Sequence, residues 1–240
     1  MKKVLIILVV AALAGGVWWK TRGGGDFLYA GTVEATEVDL SARISGVISS
    51  YKVREGDAVK KNALLVSLDC DDVRLAADIA RKDFKRAEEL YHAGSLSKEN
   101  YDRLKYRSDD SSLRQDWCRV KSPVNGTVLY KYHEDGELVA PGTKLVTVAD
   151  LSEVYAYVYV PHDMVVKLAL DMPVTGVLPE APGKTFAGKI TVINQEAEFT
   201  PKNVQTRSAR TSLVFGVKVV FPNAENVLKP GMTVEVNLPK

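Results

Sequence analysis

SGVISSYKVREGDAVKKNALLVSLD, residues 45–69, and NGTVLYKYHEDGELVAPGTKLVTVA, residues 125–149, are two copies of one pattern. Gly46 matches Gly126, Gly56 matches Gly136 and Val59 matches Val139. Leu65-Val66 matches Leu145-Val146, and Ser67-Leu68 matches Thr147-Val148, all at an offset of 80 residues without a gap. Each copy alternates apolar and polar residues, which predicts strands with one buried face. Each carries a turn, Glu55-Gly56-Asp57 or Asp135-Gly136-Glu137, where glycine supplies a left-handed conformation. Neither half buries enough surface alone. Two such halves facing each other make a small β-sandwich.

Between the copies lies a 49-residue insertion, Cys70–Cys118. Cys70, Val73, Ala77, Ala80, Phe84, Ala87 and Tyr91 recur at 3-4 spacing, one stripe of a heptad helix. Ser97, Tyr101, Leu104, Ser108, Ser111, Gln115 and Cys118 recur at 4-3 spacing and form a more polar second stripe. Folding the chain at Gly94 pairs 91 with 97, 87 with 101, 84 with 104, 80 with 108, 77 with 111, 73 with 115 and 70 with 118. Every pair sums to 188, the symmetry of an antiparallel helical hairpin. Each arm, about 23 residues, reaches roughly 35 Å.

That register brings Cys70 and Cys118 together at the hairpin base. In an oxidising compartment they join as a disulfide. The alternative is a pair of small buried thiols whose Cα atoms stand too far apart. At the tip, Ser95 and Ser97 are both suitable N-caps for the second helix, and neither completes a capping box. No GxxxxGK or GxGxxG surrounds the turn, so a phosphate site is not expected there.

The N-terminus sets the compartment. Met1-Lys2-Lys3 precedes an uncharged run of 16 residues, Val4 to Trp19, closed by Lys20 and Arg22 and followed by Gly23-Gly24-Gly25. This is an export signal or a signal-anchor helix. Trp18 and Trp19 suit a membrane interface and favour an uncleaved anchor over cleavage near Ala12-Leu13-Ala14. Residues 1–25 then form the anchor and its linker, with the bulk of the chain outside the cytoplasm.

A net charge of +2 argues against nucleic acid as a main partner. The histidines His92, His133 and His162 are scattered and the two cysteines form no CxxC, so no metal site is expected. Serine, histidine and aspartate occur outside any GxSxG or HExxH context, so no enzyme and no cofactor are expected. The turn His133-Glu134-Asp135 reads as a solvated loop, with Glu134 and Asp135 as candidates for a channel-lining acidic ring in an oligomer.

From Leu151 the pattern becomes a series of short strands. Val154–Val160 is stopped by Pro161, and a short helix, Met164–Leu170, capped by Asp163, is expected next. Strands follow at Phe186–Ile193, Leu213–Val220 and Thr233–Leu238, punctuated by Asn194, Pro201, Pro222-Asn223 and Pro230-Gly231. Together with residues 26–37 as a returning first strand, 151–240 predicts a small β-barrel.

This arrangement resembles the HlyD-type membrane fusion proteins, the periplasmic adaptors of tripartite efflux and secretion systems. VKSPVNGTV at 120–128 looks like the family's entry into the second half of its split biotinyl/lipoyl-like domain, and LKPGMTVEV at 228–236 like the closing strand of its barrel. Related carriers place a modified lysine on a tight turn between the halves, where this chain has its helical insertion instead. The resemblance implies a mainly β fold with an inserted α-helical hairpin at 70–118. The split lipoyl-like domain is assigned to 38–69 and 119–150, and the barrel to 26–37 and 151–240. It implies an inner-membrane transporter and a TolC-like outer-membrane channel as partners, and a homo-oligomer, a hexamer in the family.

In such adaptors an arginine, a leucine four residues on and a serine seven further dock the tip on the channel. Arg86, Leu90 and Ser97 match that spacing. FTPKNVQT at 199–206 resembles a loop of adaptors serving ABC-type exporters. The ending at Lys240, without the further domain of many RND-pump adaptors, points the same way.

Overall fold

The computed structural model describes residues 28–181, 183–199 and 213–239. The N-terminal apolar run therefore lies outside the described residues. Among those described, no helix is long and apolar enough to cross a membrane. The chain divides into two compact units. One is Val33–Tyr155 with Phe221–Met232; the other takes the chain up to Thr32, Ala156–Val220 and everything from Thr233.

The first unit contains the repeat. Its strands are the later part of β1 (Leu28–Ser41), β2 (Gly46–Tyr51), β3 (Ala58–Val59), β4 (Leu64–Asp69), β5 (Arg119–Lys121), β6 (Gly126–Lys131), β7 (Leu138–Val139) and the first part of β8 (Lys144–Pro161). The two halves exchange strands. β2 pairs with β7 of the other half, Gly46 opposite Val139, and β6 pairs with β3, Gly126 opposite Val59. Within each half the register also repeats at 80. Val47 faces Asp69 where Thr127 faces Ala149, and a bulge after Ile48 is matched by one after Val128. Loop hydrogen bonds obey the same operation: Ile48 N–H donates to Glu137 O at 2.8 Å, and Val128 N–H to Asp57 O at 2.9 Å. The sequence repeat is a local twofold in which each half completes the other.

The core of this unit is Ile48, Leu65, Val66, Val128, Leu145, Val146 and Val148, all essentially without solvent exposure. Leu65 and Leu145 occupy equivalent positions in it. Truncating either to alanine is worth about 2–5 kcal/mol.

The insertion forms helices α1 (Asp71–His92) and α2 (Lys98–Trp117). Their facing surfaces are narrow. Ala77, Ala80 and Ala87 of α1 and Ser108 of α2 are buried, while most other positions are wet. At 1.5 Å per residue the arms run about 33 and 30 Å. Small residues at the contact let the backbones approach closely, so the seam is thin.

The second unit is a closed ring of six strands: β12 (Leu213–Pro222), β10 (Thr185–Ile193), β9 (Pro173–Val177), β13 (Thr233–Asn237), β1 and β8, which meets β12 again. β11 (Glu198–Phe199) is a short flap on β12. Val158, Val160, Ile190, Val217, Val219, Val234 and Val236 fill the interior.

The elements sharpen the sequence reading, and one helix differs from it. β1 and β8 run unbroken through 37/38 and 150/151, as single strands of 14 and 18 residues. The expected helix Met164–Leu170 is instead α3, His162–Val165, with Pro161 as N-cap and no side-chain cap from Asp163. Leu168 is buried and the chain turns inward around it, which ends the helix early. Phe221–Met232 belongs with the first unit because Asn223 is fixed there. Its side-chain amide donates to Leu151 O at 2.9 Å and Leu228 O at 2.8 Å, and its carbonyl accepts from Leu228 N–H at 3.0 Å.

Candidate functional site

The helical arm is the most prominent candidate site. At its base Cys70, the N-cap of α1, and Cys118, the C-cap of α2, form a disulfide with Cα atoms 6.3 Å apart. It ties the two points where the arm leaves the sandwich. It closes a loop with a sequence separation of 48. A chain-entropy argument puts such closure at about 4 kcal/mol.

Along the arm the contacts follow the mirrored register. Tyr101 stacks on Tyr91 at 4.6 Å between centroids and meets Phe84 at 5.5 Å. It thus lies opposite Ala87, whose missing bulk makes room for the ring. Arg81 donates to Gln115 Oε1 at 3.2 Å across the seam. Side chains lean toward the N-terminus of their own helix, so on antiparallel helices these two lean toward each other.

At the far end α1 stops in a Schellman motif. Gly94 has φ +73°, Ser95 N–H donates to Leu90 O at 2.8 Å and Gly94 N–H to Tyr91 O at 3.0 Å. α2 starts at once, with Ser97 as N-cap accepting from Asn100 N–H. Three residues, Gly94, Ser95 and Leu96, therefore separate the C-cap Ala93 of α1 from the N-cap Ser97 of α2. Arg86 and Leu90 stand one turn apart on α1 beside the buried seam. Arg86 is exposed and pairs with Asp83, Leu90 is half-exposed, and Ser97 is exposed. The last two turns of α1 thus offer a cation and an apolar side chain, and the cap of α2 adds a hydroxyl across a tightly bonded turn.

Glu134 and Asp135 are held differently. Asp135 Oδ1 accepts the Tyr51 N–H at 2.9 Å, and Glu134 pairs with Lys131 while its N–H donates to Glu137. His133 Nδ1 lies 2.6 Å from Glu137 Oε2. That contact, with the Glu134 N–H, holds the Glu137 carboxyl below its usual range. The carboxylate of Asp135 fixes the sandwich, while the Glu134 side chain stands in solvent.

One feature escaped the pattern reading. Leu75 and Ile79 on α1 and Tyr106 and Leu113 on α2 are large, apolar and exposed, away from the buried seam. A search for a second stripe at 3-4 spacing would have found them. Among the described residues no group of three or more His, Cys, Asp or Glu is placed to hold a metal ion.

Comparison with known proteins places both units. Residues 36–150 match the family model of the CzcB-like barrel-sandwich hybrid domain, and residues 153–240 that of the CusB-like beta-barrel domain. The UPF0194 membrane protein YbhG of Salmonella paratyphi B is 23% identical over 322 aligned residues, covering 98% of this chain and 97% of the relative. Among solved structures, a MacA-MexA chimeric protein containing the Pseudomonas aeruginosa MexA alpha-hairpin domain superposes with a TM-score of 0.69. It is 21% identical over 88% of this chain and 77% of its own. The membrane fusion protein Spr0693 of Streptococcus pneumoniae R6 superposes with a TM-score of 0.67 at 18% identity, over 89% and 99% of the two chains. These last two are likenesses of fold.

Proposed function

We propose that this chain, which belongs to the membrane fusion (periplasmic adaptor) proteins, links an ABC-type inner-membrane exporter to a TolC-like outer-membrane channel. Proteins of this kind are adaptors of efflux systems and not enzymes. Their work is geometric: they hold two membrane machines in register and oligomerise around the path between them. The N-terminal apolar run anchors the chain in the inner membrane, and the body stands in the periplasm.

The observation that carries this reading is the arm. It is clamped at its base by Cys70–Cys118 and presents Arg86, Leu90 and Ser97 at its far end. The guanidinium suits carboxylates and carbonyls of a partner, and Leu90 supplies an apolar knob. The test is site-directed crosslinking from the tip in cells that contain the channel. Arg86→Asp with Leu90→Ser keeps the fold and abolishes the crosslink. An undiminished crosslink would sink tip docking.

Ring assembly has its own support. A rotation about an axis parallel to the arm keeps heights unchanged, so α1 of one copy meets α2 of the next in the same sum-of-188 register. Leu75 then stands level with Leu113, both exposed in a single chain. On the stripe of α2 that carries Leu113, Glu99, Asp102 and Asp109 are exposed, and the stripe of Leu75 on α1 offers Lys82 and Arg86 beside Glu89. A closed ring, six copies by analogy with the family, buries these faces. Leu75→Asp lowers the oligomer mass in light scattering; an unchanged mass removes this contact from the proposal. The choice of an ABC-type partner rests on FTPKNVQT, most of which lies outside the described residues. The transporter that co-purifies from native membranes decides it.

A further inference from the structure

The barrel's exposed apolar side chains are unevenly placed. Strand registers identify one end of the ring: Leu28 of β1 is opposite Asn237 of β13, and Asn237 is opposite Thr175 of β9. Pro173 at the start of β9 pairs with Lys189, so β10 reaches the same end at Ile193, opposite Val217 of β12. β12 continues there to Leu213, opposite Phe199. The segment from α3 to β9 closes this end as well. Every exposed large hydrophobic of the barrel unit among the described residues lies here: Leu28, Val166, Leu170, Val192, Phe199 and Leu213. Val166 is 79% exposed, Phe199 72% and Leu170 61%, more than a water-facing loop needs. At the opposite end, where Thr185 pairs with Val177, the connecting segment keeps Leu178 buried and shows Glu180 and Lys184 to water.

We infer that this end of the barrel inserts its apolar side chains into the lipid surface of the inner membrane. The argument for lipid is the chain that enters there. β1 begins at Leu28, and only eight residues, 20–27, separate it from the apolar run ending at Trp19. Eight residues span at most about 28 Å. An anchor ending at Trp19 therefore holds this end, where the chain enters the barrel, within about 28 Å of the bilayer. This step rests on the anchor reading above. Lys167 lies between Val166 and Leu170, where a long stem lets its ammonium sit at headgroup level while its neighbours go deeper. Asp163, Asp171, Glu196 and Glu198 share this end, with Asp171 3.9 Å from Lys189 and Glu198 accepting from Asn194. With those carboxylates present, apolar insertion drives the contact more than attraction to anionic lipid.

The test uses the full chain reconstituted in phosphatidylcholine vesicles, with a nitroxide at Val166→Cys or Leu170→Cys. A third label at Lys184→Cys reports the opposite end. Flotation with the vesicles reports the anchor. Collisions with oxygen and with a water-soluble relaxation agent report depth. The expected result is that labels at 166 and 170 collide with oxygen at least several-fold more than with the aqueous agent, while 184 shows the reverse. Adding anionic lipid leaves this ratio within about twofold. A chain that floats but keeps 166 and 170 as aqueous as 184 overturns this inference and leaves the anchor standing. A chain that does not float overturns both. Protection that appears only when a transporter is co-reconstituted assigns the face to protein and overturns the lipid contact.

Discussion

Asp135 and Tyr51 join the two halves of the sandwich: the carboxylate of Asp135 accepts the Tyr51 N–H at 2.9 Å. Eighty residues away in each direction, Glu55 does the same for the Lys131 N–H at 2.8 Å. Each half reaches into the other with a turn carboxylate, so the halves are mutually capped. A charge-assisted bond of this kind is worth about 1.5–3 kcal/mol, and less where it is exposed. Asp135→Ala and Glu55→Ala should each lower the urea midpoint by similar amounts, and Asp135→Asn should lose less than alanine. Unequal effects would show that the sequence twofold is not an energetic one.

Gly46 and Gly126 are also related by the offset, but their surroundings differ in tightness. A Cβ on Gly126 would lie 2.4 Å from the Ala149 carbonyl oxygen, and one on Gly46 would lie 2.9 Å from that of Asp69. Both obstacles are backbone and cannot swing aside. Overpacking of this sort costs about 1–3 kcal/mol. Gly126→Ala should sit at the upper end and Gly46→Ala below it, measured by chemical denaturation.

Much of this fold was legible because its contacts are written as periods. The offset of 80 marked two equivalent halves of a sandwich, and the mirrored stripes placed Ala80 and Ser108 in one seam; the exchange that pairs Gly46 with Val139 and Gly126 with Val59 came with the structure. Features that depend on long-range register were not legible. Nothing local says that Leu28, Val166 and Phe199 share one barrel end, since that follows only from the pairing of β1, β13, β9, β10 and β12. Asn223 reads as a turn residue beside Pro222, yet its amide fixes Phe221–Met232 to the sandwich unit. The tip residues are proposed from resemblance alone, because exposed Arg86 and Leu90 leave no mark in a pattern of burial.

The clamp at Cys70–Cys118 acts through the unfolded chain, so its effect should appear in stability more than in native contacts. Reduction, or Cys70→Ser with Cys118→Ser, should cost up to about 4 kcal/mol in urea unfolding. The unreduced chain should show no reactive thiol after unfolding, since both cysteines are in the bond. Two thiols would contradict the bond directly.

Stability should bend at both ends of the pH scale. Asp39 is held below the usual carboxylate range by its bond from Lys144, with a second from Thr147, and Lys144 is raised by the same contact. A lowered carboxyl contributes above its unfolded pKa and loses that contribution as pH falls through the folded value. Asp39→Asn should therefore flatten the acid limb of a stability profile measured below about pH 4. Tyr51 moves the other way, pushed up to about 12 by burial and nearby carboxylates against a lowering contact from the His133 backbone. Its contribution holds below about pH 10 and fades toward about pH 12. In a tyrosinate absorbance titration, Tyr51→Phe should delete a late-titrating group.

The tip separates two requirements that Gly94 and Ser97 serve differently. Gly94 is needed for its backbone: at φ +73° with nothing within 4 Å of a built Cβ, a side chain there meets strain but no clash. Gly94→Ala should cost about 1–2 kcal/mol and Gly94→Asn less, because asparagine tolerates the left-handed region. Ser97 caps α2 through its hydroxyl, and Ser97→Ala should cost about 1 kcal/mol. If both residues only shape the turn, Ser97→Asp, which keeps the cap, restores stability and channel crosslinking together. If the Ser97 hydroxyl itself meets the channel, Ser97→Asp restores the melting temperature and leaves the crosslink weak. Helix content by circular dichroism, read beside the crosslink yield, distinguishes the two.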